Sequence, residues 1–264
     1  MSQVNRCIDG EVLAGAAETR DTASPIVLLH SLGLDRNLWS SVVSRLREFG
    51  DVVLVDLPGH GRSCRITDTT VEDMADELDL FLENTGLERV LVVGLSLGGC
   101  VAQALALRHP ERVHGLALSD TTSWYGPDAP QKWADRASQA KEDGLDSLAG
   151  FQLDRWFSQG FRDANDDLCE GLLDVFRAND LPSYEATCHA MGAFNVSDSL
   201  ADITVPTTVI VGENDFATPI AHAEVIAEGI PGARLRIVEG GSHLTPVEDP
   251  GSFLDEIEQL IARL

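Results

Sequence analysis

The chain has 264 residues, of which 44% are hydrophobic, and its formal net charge is −24 at pH 7. This length suits one large domain with an insertion, because a single hydrophobic core stops growing near this size. The strong negative charge argues against nucleic acid and anionic membranes as partners, and against polyanionic substrates unless a local cation intervenes. The apolar runs are only about as long as a strand, so no membrane span is expected.

The N-terminal segment and the cysteines bear on the cellular compartment. Residues 1–10 lack the apolar core of a secretory signal, which favours a cytoplasmic location. The cysteines are odd in number, widely spaced and without a C-x-x-C pair: Cys7, Cys64, Cys100, Cys169 and Cys188. This pattern predicts reduced, structural cysteines rather than a disulfide framework or a zinc site.

Strand and helix patterns alternate along most of the chain. Short apolar, β-branched runs predict six strands, each buried on both faces, at residues 26–30, 52–56, 90–95, 114–119, 207–212 and 235–238. Helical spacing predicts helices at about residues 38–49, 71–84, 97–108, 221–229 and 253–263. The alternation indicates an α/β protein with a mostly parallel central sheet flanked by helices.

The alternation stops between residues 121 and 202. Four helical stretches rich in tryptophan, phenylalanine and acidic residues follow one another there, without a convincing strand. We therefore expect a core domain made of residues 1–120 and 203–264, with residues 121–202 inserted as a helical cap, or lid.

The third predicted strand leads into a nucleophile motif. The predicted strand at 90–95 runs directly into Gly94-Leu95-Ser96-Leu97-Gly98, and a helical pattern follows. A G-x-S-x-G sequence between a strand and a helix is typical of the α/β-hydrolase fold, in which a sharp turn exposes the serine. Glycine on both sides leaves room for that turn, so Ser96 is the predicted nucleophile.

A serine nucleophile needs a base, which in turn needs an orienting carboxylate. Among the seven histidines, His243 has the expected position after the last predicted strand. Asp215 follows the preceding strand and completes the chain order serine, acid, histidine. Asp120 is the alternative acid, and Glu213 is a less favoured one; His30 precedes the serine and is expected to support its loop.

Two backbone amides are predicted to stabilise the oxyanion of an acyl-transfer reaction. One belongs to Leu97, directly after the nucleophile, and the other to Leu32, in the turn after the first core strand. The sequence contains no dinucleotide fingerprint, phosphate-binding loop or clustered metal ligands, so neither a cofactor nor a metal is expected.

One segment carries a more specific resemblance. Leu29-His30-Ser31-Leu32-Gly33-Leu34-Asp35-Arg36-Asn37-Leu38-Trp39 resembles the N-S-L-G-T-D-x-x-M-W stretch of 3-oxoadipate enol-lactonases. The resemblance continues through residues 94–99, 154–157, 212–219 and 243–250 and covers most of the chain from about Ile26 onward. It implies hydrolysis of an ester or lactone through an acyl-enzyme, with the cap shaping the acyl pocket.

The chain departs from that family where a cation for the substrate carboxylate is expected. Trp124 occupies this position, and Asp120 replaces an asparagine. Other basic residues of the predicted cap are candidates for this cation, although ordinary solvated charges are expected for each: Lys132, Arg136, Arg155 and Arg162. Trp124, Tyr125 and Trp156 are the predicted substrate-binding residues; with Trp133 and Phe157 they either line an apolar pocket or pack the cap on the core.

The sequence thus predicts a serine hydrolase that acts on a small-molecule ester or lactone. The alternatives are a hydrolase of carbon–carbon bonds in a cyclic or vinylogous diketone, a general carboxylesterase, and a ligand receptor that retains the triad. The oligomeric state is not predicted.

Overall fold

The computed structural model describes residues 7–15 and 24–264. The first six residues lie outside the described part, and the expectation of no secretory signal depends partly on them. The core-domain boundary drawn at residue 1 also begins there. Among the described residues, no helix has both the length and the apolar character needed to cross a membrane.

The described strands form one seven-stranded sheet in the order β1-β3-β2-β4-β5-β6-β7, in which β1 alone runs antiparallel to its neighbour. Their bounds are Asp9–Leu13 (β1), Ile26–Leu29 (β2), Val52–Asp56 (β3), Val90–Leu95 (β4), Val113–Ser119 (β5), Thr207–Gly212 (β6) and Arg234–Val238 (β7). Strands β2, β3, β4 and β6 are buried along their whole length. Their continuous apolar runs are what a parallel sheet covered on both faces requires.

The two edge strands differ from the prediction. Strand β1 was not predicted, because only part of its surface is buried and its pattern is weak. The prediction that β7 is buried on both faces is wrong: its first four residues are exposed, since it pairs only with β6 at the edge of the sheet.

Eleven α-helices lie in the described part of the chain. They are Val43–Leu46 (α1), Val71–Thr85 (α2), Leu97–Arg108 (α3), Ala129–Asp143 (α4), Ala149–Trp156 (α5), Gln159–Ala164 (α6), Asp166–Arg177 (α7), Leu181–Ala193 (α8), Ile220–Gly229 (α9), Thr245–Glu248 (α10) and Pro250–Ile261 (α11). Short 3-10 helices span Arg36–Ser41, Pro110–Arg112, Leu145–Leu148 and Ser197–Asp202. The helix predicted at 38–49 is therefore a 3-10 turn followed by the short α1.

Helices α4 to α8 all lie between β5 and β6. Four helical stretches were predicted for this interval; the structure has five α-helices and two 3-10 helices. Helix α4 packs on α8, and an antiparallel bridge between Trp124 and Asn195 joins the start of the interval to its end. That residues 121–202 form a cap distinct from the core remains a proposal.

The prediction of reduced cysteines is wrong for Cys7 and Cys64, which form a disulfide. The two are 57 residues apart, but the Cys64 amide donates to the Cys7 carbonyl because the chain after β3 returns alongside the segment that leads into β1. The two cysteines are brought together by strand pairing, which the spacing of cysteines in the sequence does not reveal. Cys100, Cys169 and Cys188 are free and buried.

Candidate active site

Ser96 sits at a strained turn between β4 and α3. Its backbone has φ 54° and ψ −112°, a conformation that a residue with a side chain rarely adopts. Backbone strain of this kind costs about 1–3 kcal/mol and is concentrated at functional sites. The turn is held by the Ser96 amide, which donates to the Ser119 carbonyl at 3.0 Å, and by the Thr121 hydroxyl, which donates to the Ser96 carbonyl at 2.7 Å.

The flanking glycines are required by close backbone contacts. A Cβ atom at Gly98 would lie 2.1 Å from the Leu29 carbonyl oxygen, and one at Gly94 would lie 2.3 Å from the Gly98 carbonyl oxygen. Neither obstacle is the end of a flexible side chain. The spacing of the G-x-S-x-G motif is therefore dictated by the approach of β4 and α3 to β2.

The structure brings Ser96, His243 and Asp215 into one hydrogen-bonded row. His243 Nε2 lies 3.0 Å from Ser96 Oγ, and His243 Nδ1 lies 2.8 Å from Asp215 Oδ2. All three side chains are buried. With a carboxylate on Nδ1, that nitrogen carries the proton and donates it, which leaves Nε2 free to accept the hydroxyl proton of Ser96.

Electrostatics favours a neutral histidine beside an ionised aspartate. Burial opposes ionisation of Asp215, but the His243 ring and the hydrogen bonds from Thr218 outweigh it and hold the aspartate's pKa below its ordinary value. Burial also lowers the pKa of His243, against the attraction of Asp215, and two nearby arginines lower it further. His243 is therefore ready to accept a proton at neutral pH.

The lowered pKa of His243 sets the expected pH dependence. Below that pKa the ring is protonated and cannot accept the Ser96 proton; above it the base is free. We expect kcat/KM on a neutral aryl ester to rise through an apparent pKa below 6.5 and then stay level through neutral pH. A rate that begins to rise only above pH 8, with circular dichroism showing a folded protein throughout, would contradict this assignment.

The two other candidate carboxylates make no hydrogen bond to His243. Asp120 accepts hydrogen bonds from the Ser119 hydroxyl, the Gly212 amide and the Thr245 amide and hydroxyl. Its burial and the nearby charge of Asp215 raise its pKa well above the ordinary value. Glu213 accepts from the Gly240 amide instead.

The predicted oxyanion donors have no acceptor among the residues that the structure describes. The Gly98 amide donates to the His30 carbonyl at 3.1 Å, which fastens the turn after β2 to the start of α3. Among the described residues, the amides of Leu32 and Leu97 make no hydrogen bond. The His30 ring supports this turn, since its Nδ1 donates to the Ser31 carbonyl and its Nε2 accepts from the Leu57 amide.

A cavity of about 580 Å³ adjoins the loop that follows Asp215, and its lining includes Tyr125, Trp133, Arg136, Phe151, Arg155 and Phe216, together with the exposed Lys132 and Asp135. A separate void of about 10 Å³ shares Arg136 and Arg155 with it and reaches Leu32 and His243. Of the predicted substrate-binding residues, Tyr125 lines the cavity and Trp156 lines the small void. Trp124 is 40% exposed and lines neither.

Arg136 and Arg155 are not the solvated charges that the sequence led us to expect. Arg136 donates to the Tyr184 hydroxyl at 2.7 Å and to Gln152 Oε1 at 2.8 Å, and neither acceptor is a carboxylate. Arg155 makes no hydrogen bond or ion pair with any described residue, and burial together with Arg136 lowers its pKa. By contrast, Arg162 pairs with Asp154. What distinguishes Arg136 and Arg155 is the absence of an acidic partner, which only the structure reveals.

The loop that carries His243 is tied to the helices between β5 and β6 by one carboxylate. Glu248 accepts from the Ser242 amide at 2.7 Å and from the Ser158 amide at 2.8 Å. The Leu244 amide also donates to the Trp156 carbonyl, at 3.2 Å. We call this arrangement the Glu248 clamp.

The family match agrees with the geometry of the candidate active site. The family model described as the alpha/beta hydrolase family matches residues 26–256, and the chain belongs to that family. It is accordingly a hydrolase, and the predicted α/β-hydrolase fold is confirmed.

The predicted likeness to enol-lactonases is also confirmed. The chain is 28% identical to 3-oxoadipate enol-lactonase 1 of Acinetobacter baylyi over 93% of its length and 91% of that protein's. The enol-lactonase structure from Burkholderia xenovorans LB400 matches with a TM-score of 0.91 and 29% identity, covering 97% of this chain and 96% of that one. The malate-bound thermophilic esterase from Thermogutta terrifontis matches with a TM-score of 0.88 and 26% identity, covering 97% and 93%.

Proposed function

We propose that the chain is a serine hydrolase that cleaves a small, carboxylate-bearing ester or lactone through an acyl-enzyme. Ser96 is the nucleophile, His243 the general base and Asp215 the carboxylate that orients it. The contacts of 3.0 Å and 2.8 Å along this row support these roles. The strained turn at Ser96 and the two unpaired amides near it support the same chemistry.

In the first half of the reaction, Ser96 Oγ attacks the carbonyl carbon while its proton passes to His243 Nε2. The carbonyl oxygen becomes an oxyanion, which the amides of Leu32 and Leu97 stabilise. The protonated His243 then gives its proton to the leaving oxygen as the bond to the carbonyl carbon breaks. In a lactone, that oxygen remains attached to the acyl chain.

In the second half, water attacks the acyl-enzyme and His243 takes a proton from it. The second oxyanion collapses, the bond between the carbonyl carbon and Oγ breaks, and His243 returns a proton to Ser96. Asp215 stays ionised throughout and stabilises the positive charge on His243 in both halves.

The proposal that the substrate is an anion rests on Arg136 and Arg155. The chain has 43 acidic and 19 basic residues, so a cation without a carboxylate partner is unexpected. Two such cations line the voids beside His243. Because two neighbouring half-buried cations without a counter-ion are destabilising, this pair is best explained by a bound carboxylate that neutralises it. The names of the enol-lactonase and malate-bound relatives agree with such a substrate.

Paired substrates and a single arginine variant test this proposal. The mono-4-nitrophenyl ester of adipic acid is compared with neutral 4-nitrophenyl hexanoate, and 3-oxoadipate enol-lactone is measured alongside. We expect Arg155→Gln to lower kcat/KM for the two acids by about 10- to 100-fold, since a hydrogen bond to a charged group contributes roughly that much. The neutral ester should lose little. Arg162→Gln is the matched control, because this arginine pairs with Asp154 outside the cavity.

The outcomes separate the candidate substrates. A wild-type enzyme that prefers the neutral ester, with Arg155→Gln affecting both aryl esters equally, would overturn the anionic assignment and indicate a general carboxylesterase. Turnover of an alicyclic diketone, with cleavage of a carbon–carbon bond established by product analysis, would favour the alternative hydrolase.

A further inference from the structure

The hydroxyl of Tyr125 is buried beside the active site and has no role in the mechanism above. Tyr125 lies in the loop between β5 and α4, where its ring packs edge-on against Trp133 at a centroid distance of 5.3 Å and against His222 at 6.4 Å. Its oxygen has no hydrogen-bond partner among the described residues. A buried hydroxyl without a partner lowers stability, so its presence calls for an explanation.

The same loop is fastened to the nucleophile turn. The Thr121 hydroxyl donates to the Ser96 carbonyl, and Cys100 Sγ lies 3.5 Å from the Thr122 carbonyl. The polar groups that act on the Tyr125 hydroxyl are the Cys100 thiol, Arg155, Asp215 and the Ser96 hydroxyl. Because this loop is held to the Ser96 carbonyl, the buried Tyr125 hydroxyl lies close to the proposed nucleophile.

Tyr125 is suited to donate a hydrogen bond there. Burial, with a contribution from Cys100, raises its pKa well above the ordinary value, so the phenol keeps its proton throughout the working pH range. The competing acceptor, the Cys100 sulfur, accepts hydrogen bonds only weakly. Asp215 already accepts hydrogen bonds from His243 and Thr218, so the strong acceptor left for Tyr125 is Ser96 Oγ when it carries charge.

We propose that Tyr125 is a further catalytic residue, whose hydroxyl donates a hydrogen bond to Ser96 Oγ while that oxygen carries developing negative charge. The inference rests on the proposed function, since it requires Ser96 to be the nucleophile. Negative charge develops on Oγ as its proton leaves for His243, and again when the bond to the acyl carbon breaks and the electron pair returns to Oγ. The Tyr125 proton stays on its own oxygen in both steps. The donor therefore acts on a different atom from the amides of Leu32 and Leu97.

The test is Tyr125→Phe, which removes the hydroxyl and keeps the ring packing. We expect the burst rate and the steady-state rate on a 4-nitrophenyl ester to fall together by about 10- to 100-fold, leaving KM nearly unchanged. Labelling of Ser96 by a fluorophosphonate, followed by intact mass, should slow by a similar factor because the same oxygen attacks. The melting temperature should be equal or higher, since no hydrogen bond is lost.

Cys100→Ala is the matched control, because it removes the other neighbour of the hydroxyl and should retain the wild-type rates. The inference is overturned if Tyr125→Phe keeps both rates, if it raises only KM, or if Cys100→Ala reproduces its loss. Failure of the proposed function looks different: wild-type enzyme would then give no burst and no label on Ser96.

Discussion

Replacing Ser96 with alanine is expected to lower kcat by about 10⁶-fold on any ester that the wild-type enzyme turns over, as loss of the nucleophilic serine does in subtilisin. The reason is that alanine has no atom that can form the acyl-enzyme. The remaining amides and cavity can then assist only direct attack by water. The measurement is steady-state hydrolysis of an activated aryl ester, together with phosphonate labelling of the same samples.

The fold should survive this change, because the substitution removes only the hydroxyl and its hydrogen bond with His243. Equal melting temperatures would establish that. Ser252→Ala, at a serine near the start of α11 and away from the site, serves as the matched control and should retain full activity. If Ser96→Ala kept a tenth of the wild-type rate, the nucleophile would have to be sought elsewhere.

The second large effect is expected for Asp215→Asn, a loss of about 10⁴-fold in kcat. An asparagine at this position can donate its amide hydrogen to His243 Nδ1. The neutral ring then carries its proton on Nε2, the nitrogen that faces Ser96. The base would point its proton at the group it must deprotonate. The pH profile of the residual activity, measured on the same neutral ester, should change as well.

Asp120→Asn supplies the comparison that decides between the two acids. Because the pKa of Asp120 is raised well above its ordinary value, a neutral amide of the same shape is a mild replacement there. We expect this variant to lose some stability, because its hydrogen bonds with Gly212 and Thr245 are weakened. It should keep most of its kcat. The reverse result, with Asp120→Asn inactive and Asp215→Asn active, would transfer the orienting role to Asp120.

Much of this architecture could be predicted from sequence because its determinants are local. Fully buried parallel strands must be continuous apolar runs, so β3, β4 and β6 were predicted with the bounds that the structure has. The turn at Ser96 needs glycine at fixed spacing for steric reasons. In both cases, the residues adjacent in sequence are sufficient to determine the local structure.

The features that sequence reasoning missed depend on distant residues. Arg136 and Arg155 belong to different helices, and their significance is that neither forms an ion pair with an acidic side chain of the described residues. The Cys7–Cys64 disulfide depends on where the chain returns after β3. The side chain of Trp124 is 40% exposed and lies outside the lining of the cavity, so its role in binding substrate stays a prediction.

The Glu248 clamp has a thermodynamic consequence for any motion of the helices between β5 and β6. One carboxylate satisfies the amide that precedes His243 and the amide at the start of α6, so displacing either segment breaks a charge-assisted hydrogen bond. Each such bond contributes about 1.5–3 kcal/mol. By reciprocity, a molecule that holds α6 in place also favours the catalytic position of His243, and repositioning His243 changes the affinity for that molecule by the same factor.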